Sequence, residues 1–211
     1  MFTLKNVNYQ NILAYPDTAI PAGSTTFICG ESGTGKSTLL KLLNGVISPT
    51  SGEISYNHQP LESYNPMQLR REVLLISQAV YLFDKSIKEN FAEFYAYRNL
   101  PPLSEAEIKK YLDICAIDLP LDSQCQVLSG GERQRIFIAI NLSYQSKVVM
   151  LDEPTSALDE KNAAKLIDNI KAHCQTNNIT LIVVSHDAVI AQKYADNIIN
   201  LSGGVRQGGM E

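Results

Sequence analysis

The 211-residue chain contains no tryptophan, only three histidines and four cysteines, and fewer basic than acidic residues, 18 against 22. Cys29, Cys115, Cys125 and Cys174 are scattered, without the close pairs that build zinc knuckles or redox motifs, so they read as reduced thiols. No run of Lys or Arg forms a stripe able to track a phosphate backbone, and no direct nucleic-acid partner is expected. The longest apolar runs, 148–151 and 181–184, are strand-sized, whereas a bilayer crossing needs roughly 20 residues. The amino end, Met1-Phe-Thr-Leu-Lys-Asn6, lacks a basic stretch leading into an apolar one, so export is not indicated and a cytoplasmic location is expected. What is present suits one folded domain: 45% apolar and 19% charged residues can bury a substantial core.

Short β-rich runs alternate with helical spacing, which predicts an α/β fold around a largely parallel sheet. Phe27-Ile-Cys-Gly30 ends one strand, and residues 36–44, carrying Leu39, Leu40, Leu42 and Leu43, read as a buried helix stopped by Gly45. Further strands are expected at 73–77, 148–151 and 179–184. From about residue 81 the β-branched runs vanish and helical spacing takes over, in Phe91, Phe94 and Tyr95 and then in Ile108, Tyr111, Leu112 and Cys115. This predicts an inserted helical subdomain over 81–134, flanked by an α/β core over 1–80 and 135–211. Pro101-Pro102 divides the insert, and Ser104-Glu-Ala-Glu107 has the form of a capping box. Gly203, Gly204, Gly208 and Gly209 read as a turn and a tail.

Three motifs carry chemistry. Gly30-Glu-Ser-Gly-Thr-Gly-Lys-Ser37 matches the phosphate-binding loop pattern between a strand and a helix. Gly30, Gly33 and Gly35 allow successive N–H groups to turn inward around phosphates, with Glu31, Ser32, Thr34 and Thr38 as neighbouring contacts. Lys36 is the expected partner of the β- and γ-phosphates and Ser37 a ligand for Mg²⁺. Val148-Val-Met-Leu-Asp-Glu153 is an apolar strand ending in two carboxylates, suiting Asp152 to the metal side and Glu153 to polarising water. Leu128-Ser-Gly-Gly-Glu-Arg-Gln134 leads into a helix; Ser129, Gly130 and Gly131 make both an ordinary cap and an anion-binding end.

In this order the three motifs resemble the ATP-binding cassette (ABC) ATPase family over nearly the whole chain. The resemblance implies a P-loop NTPase (RecA-like) core with an amino-terminal antiparallel β region and an inserted α-helical subdomain. It assigns 128–134 as the signature segment that meets ATP held by the opposite subunit, so two ATP molecules are shared by a homodimer. Gln78 resembles the Q-loop glutamine that meets Mg²⁺ and the attacking water, Asp159 the D-loop aspartate at the dimer interface, and His186 the switch histidine at the γ-phosphate. Tyr9 is the nearest candidate for an adenine-stacking aromatic, with core packing as its alternative. A transmembrane permease is the implied partner, bringing the subunit to the cytoplasmic face of the membrane, with its docking groove placed at 78–84 and 87–90. Phe91, Phe94, Tyr95 and Tyr97 read either as packing within the helical subdomain or as part of that groove. The compact insert and the Tyr81-Leu-Phe83 stretch are similar to the ATPase subunits of Fet-type iron exporters, although small-solute importer subunits share most of these features.

Overall fold

The computed structural model describes residues 1–201, and the glycines expected to form a turn and tail lie outside the described residues. From the amino end, β1 (Phe2–Tyr9), β2 (Leu13–Ala14) and β3 (Thr18–Ile20) precede β4 (Thr25–Cys29) and α1 (Lys36–Leu43). Then come β5 (Ser51–Tyr56), β6 (Gln59–Pro60), α2 (Pro66–Glu72) and β7 (Val73–Ile76). Three helices follow, α3 (Ile87–Tyr97), α4 (Glu105–Ile114) and α5 (Gly130–Leu142). The described chain closes through β8 (Val148–Asp152), α6 (Glu160–Thr176), β9 (Thr180–Val184), α7 (Ala188–Tyr194) and β10 (Asn197–Asn200). The predicted strands and the first helix fall within a residue or two of these bounds.

The uninterrupted apolar runs form a parallel sheet of order β10-β4-β9-β8-β7. Such a sheet must be covered on both faces, and side-chain alternation divides its residues between two cores. Phe27, Leu74, Val149, Leu151, Leu181 and Val183 pack into a core shared with α3–α7. Ile28, Val73, Val148, Met150, Ile182 and Val184 face α1 and the amino-terminal antiparallel sheet, in which β1 pairs with β2, β3 and β5. Leu39, Leu40, Leu42 and Leu43 of α1 fill the space between the two sheets, each worth roughly 1.5–3 kcal/mol of burial. The helix ends as predicted at Gly45, whose φ of 64° lets the Val46 N–H return to the Lys41 carbonyl at 3.0 Å.

In the helical layer, Ser86 with Glu89, Ser104 with Glu107 and Ser129 with Glu132 each form a complete capping box. The expected subdomain limit at 134 falls inside α5, whose second half, from Ile136 to Leu142, packs in the core beneath the parallel sheet. Two residues expected in the docking groove are interior instead: Ile87 and Asn90 are fully buried. Ile87 belongs to the apolar core. Asn90 ties down the segment ahead of α3: its Oδ1 accepts from the Phe83 N–H at 2.8 Å, and its Nδ2 lies within 2.9–3.2 Å of the carbonyls of Phe83, Lys85 and Ser86. Phe91 and Tyr95 pack internally as well, whereas Tyr81 and Tyr97 stand 60% and 74% exposed, on either side of a half-buried Phe83 whose ring stacks on Tyr97 at 6.0 Å.

Asn90→Asp sets a second oxygen against three carbonyl oxygens in a site closed to water. It is expected to cost roughly 3 kcal/mol, a fall in melting temperature of about 6–12 °C for a chain of this size. A calorimetric midpoint within about 2 °C of the parent would contradict the role given to this amide.

Candidate active site

Because the sheet is parallel, the strands leave it on one edge. The register pairs Ile28 with Val184 and Val184 with Asp152, so the loops after β4, β8 and β9 begin at the same level. Two hydrogen bonds lock this edge: the Ser185 N–H donates to the Ile28 carbonyl at 3.2 Å, and the Glu153 N–H donates to the Val184 carbonyl at 3.1 Å. Ligands of open α/β sheets bind at this edge.

The loop from β4 to α1 wraps Lys36. Its ammonium donates to the carbonyls of Gly30 and Glu31, each at 2.8 Å, and the side chain is nearly enclosed. Gly30 passes so close to the chain end of β10 that a Cβ there would lie 2.4 Å from the Leu201 carbonyl oxygen. Gly35 has φ 90°, and a Cβ on it would meet the Leu13 side chain at 2.7 Å and the Tyr15 hydroxyl at 2.8 Å. That hydroxyl donates to the Gly35 carbonyl at 3.0 Å, propping the loop from below; burial holds the Tyr15 phenol well above its usual pKa, so it remains a donor. Gly35 gives α1 no side-chain cap, in contrast to α3, α4 and α5. The first-turn N–H groups of α1 and the positive end of its dipole are therefore available to an anion.

Beside the loop, the Ser37 hydroxyl donates to Asp152 Oδ1 at 3.0 Å. Burial raises the Asp152 pKa, partly offset by the Ser37 hydrogen bond, while the neighbouring Glu153 charge raises it further. Glu153 sits in a left-handed backbone conformation, φ 49°, that an unbranched acidic residue adopts at some cost. Its Oε2 accepts from Gln78 Nε2 at 3.3 Å, and its Oε1 is 3.8 Å from His186 Nδ1. Three residues expected from separate loops, Gln78, Glu153 and His186, are thus brought together. A cleft of about 630 Å³ opens over Gln78 and Glu153, lined also by Ser32, Gly33, Gly35, Lys36, Ser37 and Thr38; Asp152 and His186 flank it without lining it. Its outer wall is Tyr9, Gln10, Ile12 and Leu13, and the partly buried Tyr9 both lines the cleft and packs against the core of the amino-terminal sheet. Of these wall residues only Tyr9 is legible in the sequence; the exposed Ile12 and the propping Tyr15 carry no motif.

The remaining predicted residues lie elsewhere. No residue of the 128–134 segment lines the cleft. Ser129 is exposed at the start of α5, where its hydroxyl donates to Glu132 Oε2 at 2.7 Å, and Gly130 faces open space. Gly131 packs against the segment after Glu153: a Cβ there would stand 3.1 Å from the Ala157 carbonyl oxygen. Asp159, exposed, caps α6 by accepting from the Asn162 N–H at 2.9 Å.

Residues 14–156 match the family model described as ABC transporter. The chain is 35% identical over 206 residues to the probable iron export ATP-binding protein FetA of Escherichia coli K12, covering 95% of this chain and 91% of the relative. Among solved structures it superposes on CbiO1 of Clostridium perfringens, part of the ABC transporter complex CbiONQ, with a TM-score of 0.83 and 28% identity, covering 96% of this chain and 85% of that one. It also superposes on the dimeric ATP-binding cassette MJ0796 bound to ADP and phosphate, with a TM-score of 0.82 and 25% identity over 97% and 95% of the two chains. With an uncapped phosphate-type helix end, two carboxylates at a strand terminus and a match to the family model over more than half its length, the chain belongs to the ABC transporter family, as an ATP-binding, ATP-hydrolysing subunit.

Proposed function

We propose that two copies of this chain close around two ATP molecules and that the resulting motion drives a separate transmembrane permease. The observation that carries this reading is the assembly of Ser37, Gln78, Asp152, Glu153 and His186 on one edge of the parallel sheet, beside a cleft that no residue of the same chain's 128–134 segment lines. A second copy can supply that segment, so that each cleft is completed by the partner's Ser129, Gly130 and Gly131 while Asp159 approaches the interface. Glycine at 130 leaves open space for a phosphate, and the amino end of α5 favours its charge.

Within one cleft, the N–H groups of 30–38 and the ammonium of Lys36 hold the phosphates, Lys36 exchanging its two carbonyl partners for phosphate oxygens. Mg²⁺ fits the donor set, because the Ser37 hydroxyl and the Asp152 carboxylate, with Gln78 nearby, are the sparse oxygen ligands such an ion shares with phosphates; bound there it would neutralise charge on the transferring phosphoryl group. Glu153 orients and polarises the attacking water, with Gln78 donating to one of its carboxylate oxygens and His186 standing 3.8 Å from the other, from opposite loops. Tyr9 and the neighbouring Ile12 offer the adenine a face at the cleft's outer wall.

Tyr81, Phe83 and Tyr97 form an exposed aromatic ledge on the 81–134 region, suited to anchoring a permease helix. This replaces Ile87 and Asn90 in the expected groove. Among the described residues no helix is long and apolar enough to cross a membrane, so the subunit reaches the bilayer through that contact, as a peripheral component. The likeness to FetA favours a metal ion, iron first, as the exported cargo.

Glu153→Gln is expected to lower ATP turnover by on the order of 10² to 10⁴, the usual worth of a positioned base, while ATP still binds in equilibrium titration. Adding Tyr9→Ala in that background should weaken the same binding roughly tenfold if the ring stacks on the base. Full turnover in the first variant, or unchanged affinity in the second, would refute the corresponding role. Converting Tyr81 and Tyr97 together to Arg is expected to abolish co-purification with the permease and leave the melting temperature within about 2 °C. Retained co-purification would move the docking site off this ledge.

A further inference from the structure

Glu153 is held by its backbone as much as by its side chain. Its N–H is fixed to the Val184 carbonyl across the sheet, and its own carbonyl receives two donors: the Ser156 N–H at 3.3 Å and Nε2 of Gln134 at 3.2 Å. Gln134 lies in α5, one turn beyond the signature glycines, and is almost fully buried against Ile76, Asp152 and Pro154. Its Oε1 has no partner among the described residues, so the bond that this amide donates to Glu153 is the hydrogen bond its side chain makes there. A left-handed residue with φ 49° persists only where its surroundings over-determine it. The Gln134 bond comes from a different layer of the fold than the other two restraints. Gly131, on the same helix, runs so close to the same loop that a Cβ on it would meet Leu158 at 3.0 Å and Ala157 at 3.1 Å, a second close approach along one turn.

We infer that Gln134 is a positioning residue for hydrolysis: its amide clamps the Glu153 carbonyl to the signature helix, so that the orientation of α5 sets the alignment of the Glu153 carboxylate. The inference rests on the assignment of Glu153 as the group that polarises water. If the amino end of α5 engages a phosphate in one cleft of the dimer, the same helix turn holds the carboxylate of the other cleft, and phosphate occupancy at one site is transmitted mechanically to the water-activating group of its neighbour. Gln134 does not line the cleft and acts only through Glu153.

The experiment is single-turnover ATP cleavage by the full chain in excess over nucleotide, with ATP affinity measured separately, for Gln134→Leu, Gln134→His, Glu153→Gln and the double variant Gln134→Leu/Glu153→Gln. Leucine fills the same space without a donor; histidine restores an N–H at similar reach. Gln134→Leu is expected to slow cleavage about tenfold with ATP affinity within twofold, and Gln134→His to recover most of the rate. In the Glu153→Gln background, Gln134→Leu is expected to slow cleavage no further, because its route runs through the carboxylate. If Glu153→Gln is slow but Gln134→Leu cleaves at the parent rate, or if its defect multiplies undiminished in the double variant, the positioning role is overturned while the reading of Glu153 stands. If Glu153→Gln cleaves at the parent rate, the reading of Glu153 itself fails and the inference falls with it.

Discussion

The structure depends on the lateral pairing of β4, β9 and β8. Val184 pairs with Ile28 on one side and Asp152 on the other, and hydrogen bonds from Ser185 and Glu153 extend those pairings one step past the strands. Three loops of unrelated sequence consequently begin at one height on one edge. Everything chemical follows from that alignment: the phosphate loop after β4, the carboxylates after β8 and the histidine after β9 converge without any of them being close in sequence. The apolar side chains of the same strands divide between two cores, so both covering layers bear on the edge that carries the site.

Charge is distributed over this edge to suit a polyanionic substrate. Lys36 is enclosed and paired only with neutral carbonyls, and α1 begins without a side-chain cap, so positive potential is concentrated where phosphates belong. The acidic pair stands on the other side. Asp152 is drawn toward its neutral form by burial, and Ser37 and the nearby cations work against that tendency. By contrast, the start of α5 carries its own carboxylate cap in Glu132, placed away from the cleft, which ties the helix end into the helical layer.

Much of this was legible in the sequence, for physical reasons that differ by residue. The phosphate loop was readable because Gly30 and Gly35 are demanded by backbone geometry and steric closeness, and Asp152 and Glu153 because an apolar strand ending in two acids has few uses beside such a loop. Gln78 and His186 have no such local signal; only their place after a strand marked them. Ile87 and Asn90 were misplaced because a short polar-apolar stretch at the start of a helix looks alike whether it faces a partner or the interior, and the side-chain amide of Asn90 satisfies backbone groups that no periodicity reveals. Tyr15 and the buried amide of Gln134 escaped for the same reason, since their roles exist only across the fold.

The central claim is that each chain holds half of two active sites. Light scattering during size-exclusion chromatography of the Glu153→Gln protein, with and without Mg-ATP, tests it most directly. The account predicts a monomer without nucleotide and a dimer with it. A protein that remains monomeric at high protein concentration and saturating Mg-ATP, alone and after its permease has been added back, would contradict it.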